Sequence, residues 1–280
     1  MVNLGWLPFG FKCNEFVLEK LVVLLLSRSD ITEDWAGWKS CLVSENLKVI
    51  EIYFGTSMKR IPDFSKCSNL RRLTIQSCAS LLVNDGSLSQ LEHLKYLKIC
   101  SWNIVTLYSL IEANRCDDLF PKPSIFGSLK SLSTLIIKGM SIHELPHSIG
   151  EMTSLNELSL TNSNLPKLPN SVGGLRMLRT MTLTDSWIAK LPKTIGGLES
   201  LLELDLTRTR IRKLPASIGN LKKLRKMSML RGSYKEATEG NRRARIFASA
   251  RFELHKDYKV TYFYWKAQTI GDFRCNWYCD

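Results

Sequence analysis

Residues 132–223 read as four consecutive units: LSTLIIKGMSIHELPHSIGEMTS (132–154), LNELSLTNSNLPKLPNSVGGLRM (155–177), LRTMTLTDSWIAKLPKTIGGLES (178–200) and LLELDLTRTRIRKLPASIGNLKK (201–223). They begin at Leu132, Leu155, Leu178 and Leu201, and Leu224 continues the register, so every interval is 23 residues. The shared pattern is L-x-x-L-x-L-x-x-x-x-I-x-x-L-P-x-x-I-G-x-L-x-x. Constant-period self-similarity marks a stack of small units, none of which buries its apolar face alone. Positions 4 and 6 alternate with polar neighbours, the signature of a short half-buried strand. In the second unit Leu158 and Leu160 point inward, with Glu157, Ser159 and Thr161 outward. Pro169, after Leu168, lacks an N–H and ends regular pairing. Gly173 is expected to permit a tight turn before Leu175.

The spacing is that of a leucine-rich repeat. It predicts an α/β leucine-rich-repeat solenoid: a curved horseshoe with a parallel β-sheet on its concave face and an irregular or short-helical convex side. Weaker units begin at Leu21, Leu47, Leu70 and Leu94, with lengths of 26, 23, 24 and 38 residues. The last carries an irregular insertion at about 107–123, including Pro121-Lys122-Pro123, and rejoins the pattern at Phe126-Gly127. Leu224, Met227 and Met229 open a ninth unit that is not completed. The expected organisation is an N-terminal cap segment over 1–20, a solenoid over 21–231 and a basic aromatic tail over 232–280.

Composition narrows the function classes. With 280 residues, 44% of them apolar, the chain can bury a large core. Lys and Arg number 39 against 26 Asp and Glu, and the excess is uneven, since residues 201–280 hold 18 basic and 8 acidic residues. No apolar run reaches the ~18 residues of a spanning helix; the longest, Leu21 to Leu26, is also too short for a signal-peptide core. No Asn-x-Ser/Thr acceptor occurs. The eight Cys lack paired Cys-x-x-Cys spacing, which favours a reducing compartment and small buried thiols.

The first half carries a more specific resemblance. The residues are Glu19-Lys20-Leu21-Val22 followed by Leu24, Leu26, Ser27, Ser29 and Ile31; Trp35-Ala36-Gly37-Trp38; Leu47-Lys48-Val49-Ile50; and Ile61-Pro62-Asp63-Phe64-Ser65-Lys66-Cys67-Ser68-Asn69-Leu70. They resemble the leucine-rich-repeat region of plant intracellular nucleotide-binding disease-resistance proteins, especially the class with a Toll/interleukin-receptor-like domain. In that family a P-D-F/L-S segment closes one repeat and N-L opens the next. The resemblance spans roughly residues 4 to 230. It implies innate immunity and signal transduction: sensing a pathogen effector or guarded host protein, and holding a nucleotide switch off. It also implies a cytoplasmic or nuclear location. Extracellular plant receptors usually have 24-residue units with G-x-I-P, whereas here Leu-Pro stands without that Gly. No G-x-x-x-x-G-K-[ST] loop is present. No cofactor is therefore expected, and the chain reads as a repeat region standing alone.

Other motifs have plainer readings. His143-Glu144-Leu145-Pro146-His147 matches the zinc-protease pattern H-E-x-x-H, which needs both imidazoles on one helical face. Leu145-Pro146 aligns with Leu168-Pro169, Leu191-Pro192 and Leu214-Pro215, so the segment belongs to the repeat's descending loop; only His93 and His255 remain as further His ligands. Cys275 and Cys279 lack two more ligands at suitable spacing, and Cys67 and Cys78 read as core residues. Asp185 and Asp205 could be paired for acid–base work, but no pattern encloses them. Trp35, Trp38, Tyr53 and Phe54 form an aromatic group read as core or end-cap packing. Arg208, Arg210, Arg212 and Lys213, then Lys222, Lys223, Arg225 and Lys226, then Asn241-Arg242-Arg243-Ala244-Arg245 make the end basic, ahead of Tyr262-Phe263-Tyr264-Trp265. No nucleic-acid module accompanies them, so nucleic acid is not the expected partner; part of 252–265 alternates like a capping strand pair.

No catalytic or metal-ligating set is assigned, and no small-molecule substrate. The candidate protein-binding residues lie on the outward columns at positions 3, 5, 7 and 8: Glu157, Ser159, Thr161, Thr180, Thr182, Thr184, Asp185, Glu203, Asp205, Thr207 and Arg208. The alternative is a general intracellular signalling scaffold that binds a small GTPase or another protein, which the four regular units fit equally well.

Overall fold

The computed structural model describes residues 2–5, 18–27, 31–54, 58, 61–77, 88, 90–100, 129–140, 142, 144–229 and 251–253. Eleven strands form one sheet in strict sequence order. They are β1 (Val2–Gly5), β2 (Val23–Ser27), β3 (Val49–Tyr53), β4 (Arg72–Gln76), β5 (Tyr96–Cys100), β6 (Thr134–Lys138), β7 (Glu157–Thr161), β8 (Thr180–Thr182), β9 (Glu203–Asp205), β10 (Lys226–Ser228) and β11 (Arg251–Glu253). Every pairing is parallel except β10 with β11.

The repeat sets the register. Val23 pairs with Val49, Val49 with Arg72, Arg72 with Tyr96 and Tyr96 with Thr134. Those offsets are the sequence lengths of the early units. Thr134, Glu157, Thr180, Glu203 and Lys226 then follow at the constant period. Residues 107–123 lie outside the described residues. Val2–Gly5, inside the segment assigned as a cap, adds a further parallel strand beside β2. At the other end β11 closes antiparallel on β10, with Met227 opposite Phe252.

The core is one continuous stack. In the second full unit Leu155, Leu158, Leu160, Leu165, Leu168, Val172 and Leu175 are all buried. Leu178, Met181, Leu183, Ile188, Leu191, Ile195 and Leu198 repeat this one unit on. Burial weakens at the end, where Leu224, Met227 and Met229 are only partly covered.

Away from the sheet each regular unit makes a 3-10 turn: His147–Glu151, Asn170–Gly174, Lys193–Gly197 and Ala216–Asn220. Pro146, Pro169, Pro192 and Pro215 precede them in extended conformation, where a missing N–H costs nothing. The one α-helix among the described residues, α1 (Gly37–Cys41), belongs to an early unit. Gly173 sits inside a 3-10 turn, and the only described Gly with positive φ is Gly139. Its need is therefore closeness to the next unit and not an unusual φ. A Cβ there would lie 2.3 Å from the Thr194 carbonyl oxygen.

Trp35 and Trp38 lie at α1, and Tyr53 and Phe54 at the end of β3. Trp38 packs edge-on against Trp35 at 5.4 Å and Phe64 at 6.1 Å between ring centroids, and its Nε1–H donates to the Thr32 carbonyl at 2.9 Å. Tyr53 stands on the sheet's outer face, and Phe54, 46% exposed, follows it in the left-handed region.

Candidate functional site

The sheet's outer face carries side chains that the core does not use. Adjacent strands lie about 4.8 Å apart, so in-register residues form columns across the units. The position-3 column runs Arg72, Tyr96, Thr134, Glu157, Thr180, Glu203, Lys226. Position 5 contributes Thr74, Lys98, Ile136, Ser159, Thr182, Asp205 and Ser228 in the same order.

Most of the predicted residues fall on this face. Glu203 is exposed, while Glu157, Thr161, Thr180, Thr182, Thr184, Asp205 and Thr207 are half-buried. Ser159 differs: it retains 7% exposure, and Thr74 only 3%. Their short side chains are shielded by the flanking strands, so an outward position does not guarantee an accessible one. The Ser159 and Thr161 hydroxyls are 3.2 Å apart. The Glu203 carboxylate faces the Lys226 ammonium at 3.6 Å.

Asp185 and Arg208 belong elsewhere. Both occupy position 8, where the chain leaves the sheet. Phe54, Ser77, Gly139, Asn162, Asp185 and Arg208, one per unit, all take positive φ. The amide at this position extends the ladder: Phe54 N–H donates to the Gln76 carbonyl at 2.9 Å, Ser77 to Cys100 at 2.8 Å, Asn162 to Thr184 at 2.9 Å and Asp185 to Thr207 at 3.0 Å. The turn that redirects the chain towards the core is thus built by an unfavourable backbone region in every unit where position 8 is described. Nothing in the sequence pattern marks it, since the column mixes Phe, Ser, Gly, Asn, Asp and Arg. Side by side at this edge, the Arg208 guanidinium grips both Asp185 carboxylate oxygens through Nε and Nη2.

Asp185 and Asp205 do not form a carboxylate pair. Asp205 instead accepts the Thr207 backbone N–H at 2.8 Å. The H-E-x-x-H segment has no helix over Glu144–Pro146, where Leu145 is buried in the core; His143 lies outside the described residues. Among the described residues no cluster of three His, Cys, Asp or Glu could hold a metal ion. Cys67 is buried, its Sγ 4.0 Å from the Leu42 carbonyl, and burial pushes its thiol up to about 11. Cys78, Cys275 and Cys279 lie outside the described residues.

A second group stands on the outer face, with Arg72 and Tyr96 in the position-3 column and Tyr53, expected in core or end-cap packing, beside them. The Tyr53 hydroxyl donates to Glu51 Oε2 at 3.0 Å, and the Arg72 guanidinium lies 4.1 Å above the Tyr96 ring. Burial raises both phenols above their ordinary pKa, with the Glu51 hydrogen bond adding to the rise at Tyr53. Both hydroxyls therefore remain donors at neutral pH. The available signal was aromatic residues in outward columns next to an Arg.

The fold defines the class: the chain is a leucine-rich-repeat solenoid. A leucine-rich repeat region family model matches residues 167–239. Among solved structures, a TDR receptor covers 76% of this chain and 35% of its own at 19% identity, with a TM-score of 0.56. Among curated proteins, TMV resistance protein N of Nicotiana glutinosa is 30% identical over 155 residues, 52% of this chain and 13% of that protein. Disease resistance protein RPS4B of Arabidopsis thaliana is 29% identical over 148 residues, 52% of this chain and 11% of that protein. The chain is therefore similar to the leucine-rich-repeat region of plant disease-resistance proteins, and it spans a small part of these relatives' length. Among the described residues no helix is long and apolar enough to cross a membrane.

Proposed function

We propose that this chain is a non-catalytic protein-binding module of plant defence, recognising a pathogen effector or a host protein on the outer face of its sheet. The carrying observation is the in-register sheet, whose columns at positions 3, 5 and 7 present side chains that packing leaves free to vary. Glu157, Thr180, Thr182, Glu203, Asp205 and Thr207 make an acidic, hydroxyl-rich stretch there, and Tyr53, Arg72 and Tyr96 an aromatic–cationic one. Tyr and Arg are the residue types that most often anchor interfaces. The similarity to resistance proteins supports the defence role, and the proposal places the chain in the cytoplasm or nucleus.

The test is affinity capture from infected plant tissue with the full chain, set against Thr182→Arg and Tyr96→Ala. Both are expected to lose partners that wild type retains, while Met177→Ala, exposed but outside the sheet columns, keeps them. Equal capture by all four proteins would refute the reading. Selective capture of a GTP-loaded small GTPase would replace it with the scaffold alternative.

A further inference from the structure

The descending loops of the last three full units, residues 162–168, 185–191 and 208–214, form a flank distinct from the sheet face. Backbone hydrogen bonds knit them together. Trp187 N–H donates to the Ser163 carbonyl at 3.1 Å, Ala189 to Pro166 at 3.1 Å and Arg210 to Ile188 at 3.0 Å. Lys167 and Lys190 are paired in a parallel bridge, so their side chains start side by side. One unit on, the repeat brings Lys213 to the same position.

The charge on this flank is one-sided. Lys167, Lys190, Arg208, Arg210, Arg212 and Lys213 are all exposed. The single carboxylate within these loops is Asp185, and Arg208 already engages it. The equivalent position one unit earlier is Glu144, so the basic surface begins at the second full unit. Arg210 is held by its stack on Trp187, the guanidinium carbon 4.1 Å from the ring centroid. The cations therefore project from a backbone ladder that holds their starting points in register. Like charges in register on neighbouring strands repel, which an anionic partner relieves.

We propose that this flank docks an acidic polypeptide segment. An extended segment running along the solenoid axis advances about 3.3 Å per residue, so carboxylates on one of its faces recur every ~6.6 Å, against about 4.8 Å between loops. Flexible lysines span that difference, and Arg212 offers the fork that fits a carboxylate. Single-stranded nucleic acid is the poorer fit. It binds through rows of stacking platforms, whereas the one aromatic of these loops, Trp187, already carries Arg210 on a face. The proposal concerns a surface separate from the sheet face and stands independently of the function proposed there.

The experiment is fluorescence anisotropy of a labelled decaglutamate peptide with the full chain at low salt. The wild type is expected to bind. Lys190→Glu/Arg212→Glu should weaken binding about tenfold or more, because rim charges set electrostatic association. Arg176→Glu/Lys223→Glu, an equal change of charge away from the flank, should leave it within about twofold. The Lys190→Glu/Arg212→Glu chain should melt close to the wild-type temperature, since both side chains are exposed and Lys190→Glu converts a like-charge stack into an alternating one; loss of binding then cannot be unfolding. No binding by wild type overturns the proposal, as does equal weakening by the Arg176/Lys223 variant. Tighter binding of an oligothymidylate of equal charge, lost on the same substitutions, would assign the flank to nucleic acid instead.

Discussion

A methyl group on Gly173 would stand 2.3 Å from the carbonyl oxygen of Thr194 in the next unit, a backbone atom that cannot swing aside. Gly173→Ala is therefore expected to destabilise by about 1–3 kcal/mol, the range for overpacked sites. Gly174→Ala is the control: its nearest neighbour, the Gly150 carbonyl oxygen, is 3.1 Å away, and its urea midpoint should fall less. Equal losses in urea melts would show that the close approach is not the cause. Cys67 sets a pH dependence. Its native thiol stays protonated up to about 11, against an ordinary value of 9.0. The unfolded chain therefore releases this proton first, and stability falls as pH rises through that window. The urea midpoint of wild type should drop more steeply across it than that of Cys67→Ala. At neutral pH Cys67→Ala should leave the number of native thiols titrated by Ellman's reagent unchanged, because the buried thiol does not react.

Strand and turn meet at position 8. At Phe54, Ser77, Gly139, Asn162 and Asp185 a left-handed residue still bonds the neighbouring unit through its amide, so pairing and reversal share one residue. Asp185 and Arg208 add a side-chain link between consecutive units at this edge. The two side chains are 30% and 51% exposed, so water and salt screen the pair. A double-mutant cycle with Asp185→Ala and Arg208→Ala should give a coupling of about 0.5–1 kcal/mol that shrinks with added salt. A coupling of zero at low salt would mean that the ion pair is incidental to stacking.

For the whole molecule, the ends matter most, because a solenoid's terminal faces have no next unit. Leu224, Met227 and Met229 are incompletely covered, and β11 is the element paired against that edge. A chain ending at Gly232 bares the β10 edge, and exposed strand edges template association. It should melt at a lower temperature than residues 1–280 and scatter light on warming. If both melt alike as monomers, the tail is not a cap.

The sequence by itself determined the period, the parallel sheet and the buried columns. Leu155, Leu158 and Leu160 could be placed in the core because their spacing alone sorts apolar from polar side chains, a local property of the chain. Unit lengths read from Leu21, Leu47, Leu70 and Leu94 reappear as the pairing offsets of the strands. The solvent-facing set was legible only as columns. That Ser159 is shielded while Glu203 is open, that Asp185 holds Arg208 and not Asp205, and that Trp38 belongs with Phe64 while Tyr53 belongs with Glu51 depended on tertiary structure. So did the left-handed turn at position 8 and the role of Gly173. Apart from the Tyr53–Glu51 bond within one strand, each of these depends on contacts between different units or on a backbone angle. Such quantities exist only once neighbouring units are stacked about 4.8 Å apart, and no residue's own chemistry encodes them.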